Sequence, residues 1–396
     1  MRYFLSPKVL FGKGALNRLG NEIQGQGNKA VLITDKVMVK FSDRVVEEVS
    51  NAGYEVKVWD GAEPEPSVEV ARRGSQILHD FQPQLVIGFG GGSALDTAKA
   101  AWLLYERPDL ADTELDKAVV PKTKLNLRQK ARFVSVPTTS GTGSDVSWAI
   151  ILTDTARHRK MPFANNEIVP DISVLEPELT AGMPKNLTAS TGMDVLGHAL
   201  DGYTSRQQTD FSDGPCLQAI KLAFDWLPKA CQDGSDLTAR EKMQNAATIA
   251  GLGFGNSNTS LAHALAHAAG AAFGIPHGRA VGIALPYSLE YIASNPPLPN
   301  APDPIMKLGT VARFVGIDAR SDKEGTQKLI QKIKELVKEI GEPLSLKEAG
   351  ITKQQLSQEI DTLVRLAGSD VNIFSSPCEC TDEKLKQLFQ DMGEGK

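Results

Sequence analysis

Four of the chain's six histidines fall between residues 198 and 277, in stretches that are otherwise small and apolar. Asp194 and His198 are spaced i, i+4 in Gly192-Met193-Asp194-Val195-Leu196-Gly197-His198-Ala199. His263 and His267 are spaced likewise in Leu261-Ala262-His263-Ala264-Leu265-Ala266-His267-Ala268. That spacing places both members of a pair on one helix face. His277 follows in Ile275-Pro276-His277-Gly278. A buried carboxylate or imidazole without a partner is costly, so these groups either pair with one another or bind a cation. Any one such histidine reads most simply as a satisfied core residue; two spaced pairs and a third element reverse that reading. Three imidazoles and a carboxylate suit Fe(II), Zn(II) or a related divalent ion. The pattern is not H-E-x-x-H, since no glutamate between His263 and His267 offers a hydrolytic base.

A second candidate lies upstream. The apolar run 85–89 leads into Gly90-Gly91-Gly92-Ser93 and then a helical stretch, Ala94-Leu95-Asp96-Thr97-Ala98-Lys99-Ala100. Glycines let the backbone approach a phosphate, and a helix start aims N–H groups at it. The stretch departs from G-x-G-x-x-G, with Ser93 where the third glycine belongs, and alone it reads equally well as a tight turn. The run 133–136 ends in Pro137-Thr138-Thr139-Ser140-Gly141-Thr142-Gly143-Ser144, five hydroxyls and two glycines after one strand. Hydroxyls and bare backbone suit the ribose, adenine and phosphate edges of a nucleotide, and ligands of parallel sheets bind at the carboxyl ends of strands. Asp35 closes the run 30–34. An acid there can accept from a ribose 2′-hydroxyl and repels a 2′-phosphate, which favours NAD over NADP.

These residues need elements to hold them. Near-continuous apolar runs at 30–34, 54–59, 85–89 and 133–137 suit strands buried on both faces of a parallel sheet. Helical stretches at 42–52 and 67–81 separate several of them, the alternation of an α/β fold. Beyond about residue 180 the strand signal fades. Helical spacing recurs at 187–204, 240–251, 259–273 and 326–340, the last closed by Gly341, and a proline-rich loop spans 295–302. The expectation is an α/β, Rossmann-like dinucleotide-binding domain over 1–180 and an all-helical metal-binding and catalytic domain over 181–396.

Composition narrows the class. With 396 residues, 41% hydrophobic and 23% charged, the chain is an ordinary globular protein of two or three domains. A net charge of −5 gives no footprint for nucleic acid or an anionic membrane. Four cysteines form no disulfide framework at this length, and Cys378-Glu379-Cys380 lacks the usual metal or redox spacing. No run approaches a membrane span. Pro7 and Lys8 interrupt the N-terminal stretch before any signal-peptide core, so a cytoplasmic location is expected.

Taken together, the motifs resemble the iron-containing (group III) alcohol dehydrogenases. The likeness runs from Phe11-Gly12-Lys13-Gly14 to about residue 290 and includes both loops and Gly192-Met193-Asp194…His198-Ala199…Gly202-Tyr203-Thr204-Ser205. It also includes His263…His267…Pro276-His277-Gly278. The resemblance implies metal ligands at Asp194, His198, His263 and His277. It places pyrophosphate contacts on Gly91, Gly92 and Ser93, and other nucleotide contacts on Thr138, Thr139, Thr142 and Lys160. Asp35 matches the acid linked with NAD preference. His267 matches a non-ligand histidine near the metal and is a candidate proton carrier. Phe254 is a candidate for the substrate pocket. Two departures are Glu65, where many members carry Asn, and Ala149, where some carry a polar residue. The implied function is NAD(H)- and divalent-metal-dependent alcohol oxidation or aldehyde reduction, with Fe(II) the expected ion and Zn(II) the alternative. Substrates would be small primary alcohols, diols or ω-hydroxy acids, with hydride passing to or from nicotinamide C4. A glycerol dehydrogenase-like zinc enzyme and a dehydroquinate synthase-type lyase are the alternatives. A homodimer or larger homo-oligomer is expected, with no nucleic acid or membrane partner. His79 and His158 stand outside this scheme.

Overall fold

The computed structural model describes residues 4–121, 123–155 and 159–395; His158 lies outside them. The chain divides into two compact units, Met1–Gly182 and Met183–Lys396. No helix among the described residues is long and apolar enough to cross a membrane.

The first unit holds strands β1 (Lys8–Phe11), β2 (Lys29–Asp35), β3 (Glu55–Ala62), β4 (Leu85–Gly90), β5 (Arg132–Pro137) and β8 (Ile172–Leu175) in one sheet, with β6 (Ala149–Asp154) and β7 (Arg159–Ala164) as a separate hairpin. Its helices are α1 (Leu19–Ile23), α2 (Asp43–Asn51), α3 (Val68–Phe81), α4 (Gly92–Glu106) and α5 (Leu115–Ala118). The sheet order is β1-β8-β5-β4-β2-β3, and every pairing in it is parallel. Side chains alternate between faces along a strand. Val31, Ile33, Val86 and Phe133 therefore join one core with Leu78, Ala98 and Leu103. Leu32, Ile87 and Val134 join the opposite core with Leu19, Val45 and Val49. Burial on both faces is why β2, β4 and β5 read as unbroken apolar runs, whereas β3, expected to be buried likewise, lies at the sheet edge and is largely uncovered.

The chain leaves β2 for β3 on one side and returns to β4 on the other. That reversal opens a crevice beyond the carboxyl ends of β2 and β4, where Asp35 and Gly90 stand. The sequence did not signal β1, β8 or the hairpin. β1 and β8 are four residues each, too short for a periodicity. The hairpin is antiparallel and carries Pro162 and the charged Lys160.

The second unit is helical: α6 (Lys185–Thr204), α7 (Asp210–Gln232), α8 (Leu237–Phe254), α9 (Leu261–Phe273), α10 (His277–Ser294), α11 (Pro304–Phe314), α12 (Asp322–Glu339), α13 (Lys353–Ser369) and α14 (Asp382–Glu394). α6 is buried almost all round, from Thr188 to Thr204. Small residues let its neighbours approach: a Cβ on Gly278 would strike the Ser190 carbonyl, and one on Gly192 would strike Leu227. Pro215 and Pro228 lie inside α7, and Pro286 inside α10, which hides both helices from a periodicity reading. His277 is the first residue of α10.

Candidate functional site

In the second unit, α6, α9 and α10 bring Asp194, His198, His263 and His277 together. One donor atom from each lies within 4.8 Å of all the others. Asp194 Oδ1 is the hub, 3.3 Å from His277 Nε2, 3.7 Å from His198 Nδ1 and 3.8 Å from His263 Nε2. Asp194, His198 and His263 are buried, whereas 40% of the His277 side chain is exposed, so the cluster opens on that side. Asp194 Oδ1 and His263 Nε2 are buried with no hydrogen-bond partner among the described residues. Those two atoms are what a cation would satisfy, and the donor set of three nitrogens and one oxygen fits a divalent metal. Burial opposes ionisation of Asp194, but the imidazoles of His198, His277 and His263 hold its carboxyl well below the usual range. Burial likewise opposes charge on His263, yet the negative charge of the neighbouring Asp194 and Asp201 carboxylates outweighs it and raises the ring to about 9.

Two carboxylates support these imidazoles from behind. Asp201 Oδ2 lies 2.8 Å from His263 Nδ1 and also accepts the N–H groups of Ser260 (2.9 Å) and His263 (3.2 Å) at the start of α9. Asp370 Oδ2 lies 2.8 Å from His267 Nδ1. Sequence reasoning missed both. Asp201 was findable, because Asp194, His198 and Asp201 fall at i, i+4 and i+7 on one face of α6. Asp370 gave no local signal, being 103 positions from His267. His267 is not among the four clustered donors; its ring stands 5.2 Å from that of His277, and 30% of its side chain is exposed. Burial pulls its pKa down, against the pull of Asp370. Phe254 stacks on His198 with ring centroids 4.1 Å apart.

In the first unit, the two upstream loops pack against each other. Gly90 has φ +145°, a conformation glycine favours, and a Cβ there would sit 2.6 Å from Ala94 Cβ. A Cβ on Gly91 would lie 3.1 Å from Thr139 Cγ2, and one on Gly92 would lie 2.8 Å from Thr142 Cγ2. The Thr138 N–H donates to the Gly90 carbonyl at 3.0 Å. Gly91 precedes α4, and Gly92 and Ser93 open it, so the N–H groups of this first turn have no acceptor within the helix. Ser140 Oγ is buried with no hydrogen-bond partner among the described residues. Asp35 Oδ1 accepts the N–H groups of Val37 (2.8 Å) and Met38 (2.9 Å). Its Oδ2 would lie 3.5 Å from a Cβ on Gly90, which puts the charge beside the glycine turn. Lys160 sits on β7, where its ammonium meets Glu65 Oε2 at 3.3 Å and Thr153 Oγ1 at 3.2 Å. Ala149 opens β6.

The chain belongs to the iron-containing alcohol dehydrogenase family: the family description "Iron-containing alcohol dehydrogenase" matches residues 6–177, and "Fe-containing alcohol dehydrogenase family, C-terminal" matches residues 188–393. It is an alcohol oxidoreductase of that family. It is 35% identical over 393 residues to an NADPH-dependent butanol dehydrogenase of Clostridium saccharobutylicum, covering 98% of this chain and 97% of that one. It spans less than half the length of the aldehyde-alcohol dehydrogenases that it also matches. Among solved structures, a 1,3-propanediol oxidoreductase superposes with TM-score 0.89 at 30% identity, covering 99% of this chain and 100% of that one. A sulfoacetaldehyde reductase from Bifidobacterium kashiwanohense in complex with NAD+ superposes with TM-score 0.85 at 27% identity, with both chains fully covered.

Proposed function

We propose that this protein is an NAD(H)-dependent, Fe(II)-containing dehydrogenase that interconverts small primary alcohols or diols and their aldehydes. The observation that carries the reading is the Asp194–His198–His263–His277 cluster, four donors within 4.8 Å of one another in a chain of this family. The names of a butanol dehydrogenase and a propanediol oxidoreductase among the similar proteins support small alcohols. The small, apolar, buried residues that neighbour His263 and His267 along α9 (Ala264, Leu265, Ala266, Ala268) support the same class.

When bound, the two groups supply a Lewis acid for the substrate oxygen and a hydride acceptor or donor. The chain's own residues do the rest. Asp194, His198, His263 and His277 hold the ion, with Zn(II) the alternative occupant. Asp201 fixes the His263 ring so that Nε2 faces the cluster. Phe254 covers one face of His198 and lines the substrate side. His267, held through Nδ1 by Asp370, carries a proton at Nε2 between substrate oxygen and solvent. Backbone N–H groups at Gly91, Gly92 and Ser93 bind the pyrophosphate. Thr138, Thr139, Thr142 and Lys160 contact other parts of the nucleotide, and Asp35 accepts from the adenosine ribose 2′-hydroxyl. Residues 1–180 thus form the dinucleotide-binding domain and 181–396 the metal-binding, catalytic one. Four free thiols agree with a cytoplasmic home, and assembly as a homodimer or larger homo-oligomer is proposed from the resemblance.

The test is elemental analysis of the purified protein together with an NADH and NADPH absorbance assay over an aldehyde panel. One equivalent of metal, NADH-dependent turnover of short aldehydes, and loss of both in His263→Ala are expected. Full turnover by metal-free His263→Ala would remove the ligand assignment. Lyase activity on a phosphorylated acid in place of aldehyde reduction would move the protein to the dehydroquinate synthase-type reading.

A further inference from the structure

Lys99 is a fully buried ammonium that the scheme above does not use. It lies on α4, the helix that Gly92 opens, and all three of its acceptors come from one segment. Nζ donates to Ser144 Oγ at 3.1 Å, to the Ser147 carbonyl at 2.9 Å and to the Ala149 carbonyl at 3.3 Å. Ser144 passes the link on, donating to Asp96 Oδ1 at 2.6 Å. Asp96 Oδ2 accepts the Ile151 N–H at 3.0 Å. The Ser144 N–H donates to Thr142 Oγ1 at 3.2 Å, and the Thr142 methyl is the group that Gly92 accommodates.

A continuous chain of contacts therefore runs from Lys99 through Ser144 and Thr142 to Gly92. A charge buried for packing alone is poorly explained, since an apolar side chain of the same volume would fill the site without the desolvation cost. Burial does pull the Lys99 pKa down to about 8, with Asp96 and Asp145 opposing. The ammonium's use is directional: three donors fix the 144–149 segment relative to α4.

We propose that Lys99, acting through Ser144 and Asp96, is a positioning residue that holds the 138–144 loop against the 90–93 loop and so sets dinucleotide affinity. It does not touch the reacting atoms. The proposal rests on the reading of these two loops as the dinucleotide site.

The experiment is fluorescence titration of NADH into metal-loaded protein carrying Lys99→Met, Ser144→Ala, both changes, or Gly92→Ala, with metal content and kcat at saturating dinucleotide measured alongside. Ser144→Ala removes only one hydroxyl and keeps the test alive if Lys99→Met does not fold. Lys99→Met and Ser144→Ala are each expected to weaken NADH binding about tenfold, the double change by much less than the product, Lys99→Arg to recover part of the loss, and Gly92→Ala to abolish binding. Metal content and saturated kcat of the Lys99 and Ser144 variants should hold. Dinucleotide affinity within about twofold of the parent in folded Ser144→Ala, with Gly92→Ala abolishing binding, would overturn the positioning role alone. Unchanged affinity in Gly92→Ala would overturn the loop reading beneath it. Parallel loss of metal, kcat and affinity in Ser144→Ala would reduce the network to a fold requirement and overturn the proposal.

Discussion

His263 Nδ1 lies 2.8 Å from Asp201 Oδ2, and the same carboxylate accepts the N–H groups that open α9. One side chain thus fixes both the ring and the helix that carries it. With Nδ1 committed to the carboxylate, Nε2 is the atom left to face the cluster, which determines the tautomer.

Asp201→Asn should lower metal affinity by about 10- to 100-fold, because the ring loses its charged support. Chelator competition on the purified variant measures this. Secondary structure should persist, since the amide oxygen can still cap α9. Parent-like affinity would show that packing alone orients His263.

Lys99 provides a stability test with a definite sign. Its pKa stands at about 8 in the fold against 10.5 in the free side chain, burial being the main cause. Between those values the unfolded chain binds the proton that the folded chain has released, so stability rises with pH in this window. The penalty is complete below about pH 8 and is gone above 10.5. Unfolding free energy of the parent minus that of Lys99→Met should therefore grow by about 3 kcal/mol across the window. Asp96 and Asp145 face the ammonium and set how much of this is realised. Denaturant titrations at several pH values read it; a flat difference would place the lysine pKa at its ordinary value.

Asp35→Asn should raise the NADPH-to-NADH ratio of kcat/KM by at least about tenfold. Asparagine keeps an oxygen for the Val37 and Met38 N–H groups, so the change removes charge and little else. Steady-state kinetics with both cofactors decide the matter, and an unchanged ratio would argue against a 2′-hydroxyl contact.

His267→Ala should keep its metal and lose about 10²-fold or more in turnover, the scale of a lost general acid–base group. Asp370→Asn should lose less, in the same direction, because Asp370 acts only through the ring at 2.8 Å. Elemental analysis beside kinetics separates the cases. Metal-free His267→Ala would make His267 a ligand.

How much of this was legible in the sequence follows from locality. β2, β4 and β5 are buried on both faces, so their apolar runs announced them. Helical spacing likewise marked α6, α9 and α12. α7 and α10 contain prolines that broke the pattern. Asp194, His198, His263 and His277 stood out because polar groups on apolar helix faces need a reason. Asp370 and the Lys99–Ser144 contact join residues 103 and 45 positions apart, and no local pattern encodes such pairings. Asp96 and Lys99 were both present in the loop-to-helix stretch, but a charged residue three positions from another reads as an exposed helix face until burial is known.

The four clustered donors come from α6, α9 and α10, spread over residues 194 to 277. An ion seated there would be a rivet through three helices, present in the folded chain and absent from the unfolded one. Binding of that kind stabilises by RT ln(1 + [M]/Kd), so the helical unit's thermal midpoint becomes a function of free metal while the sheet unit's need not. A cell short of the metal would then lose enzyme as well as activity, since chains without the rivet open more often to proteases. Abundance of this protein would in that way follow metal supply with no regulator involved.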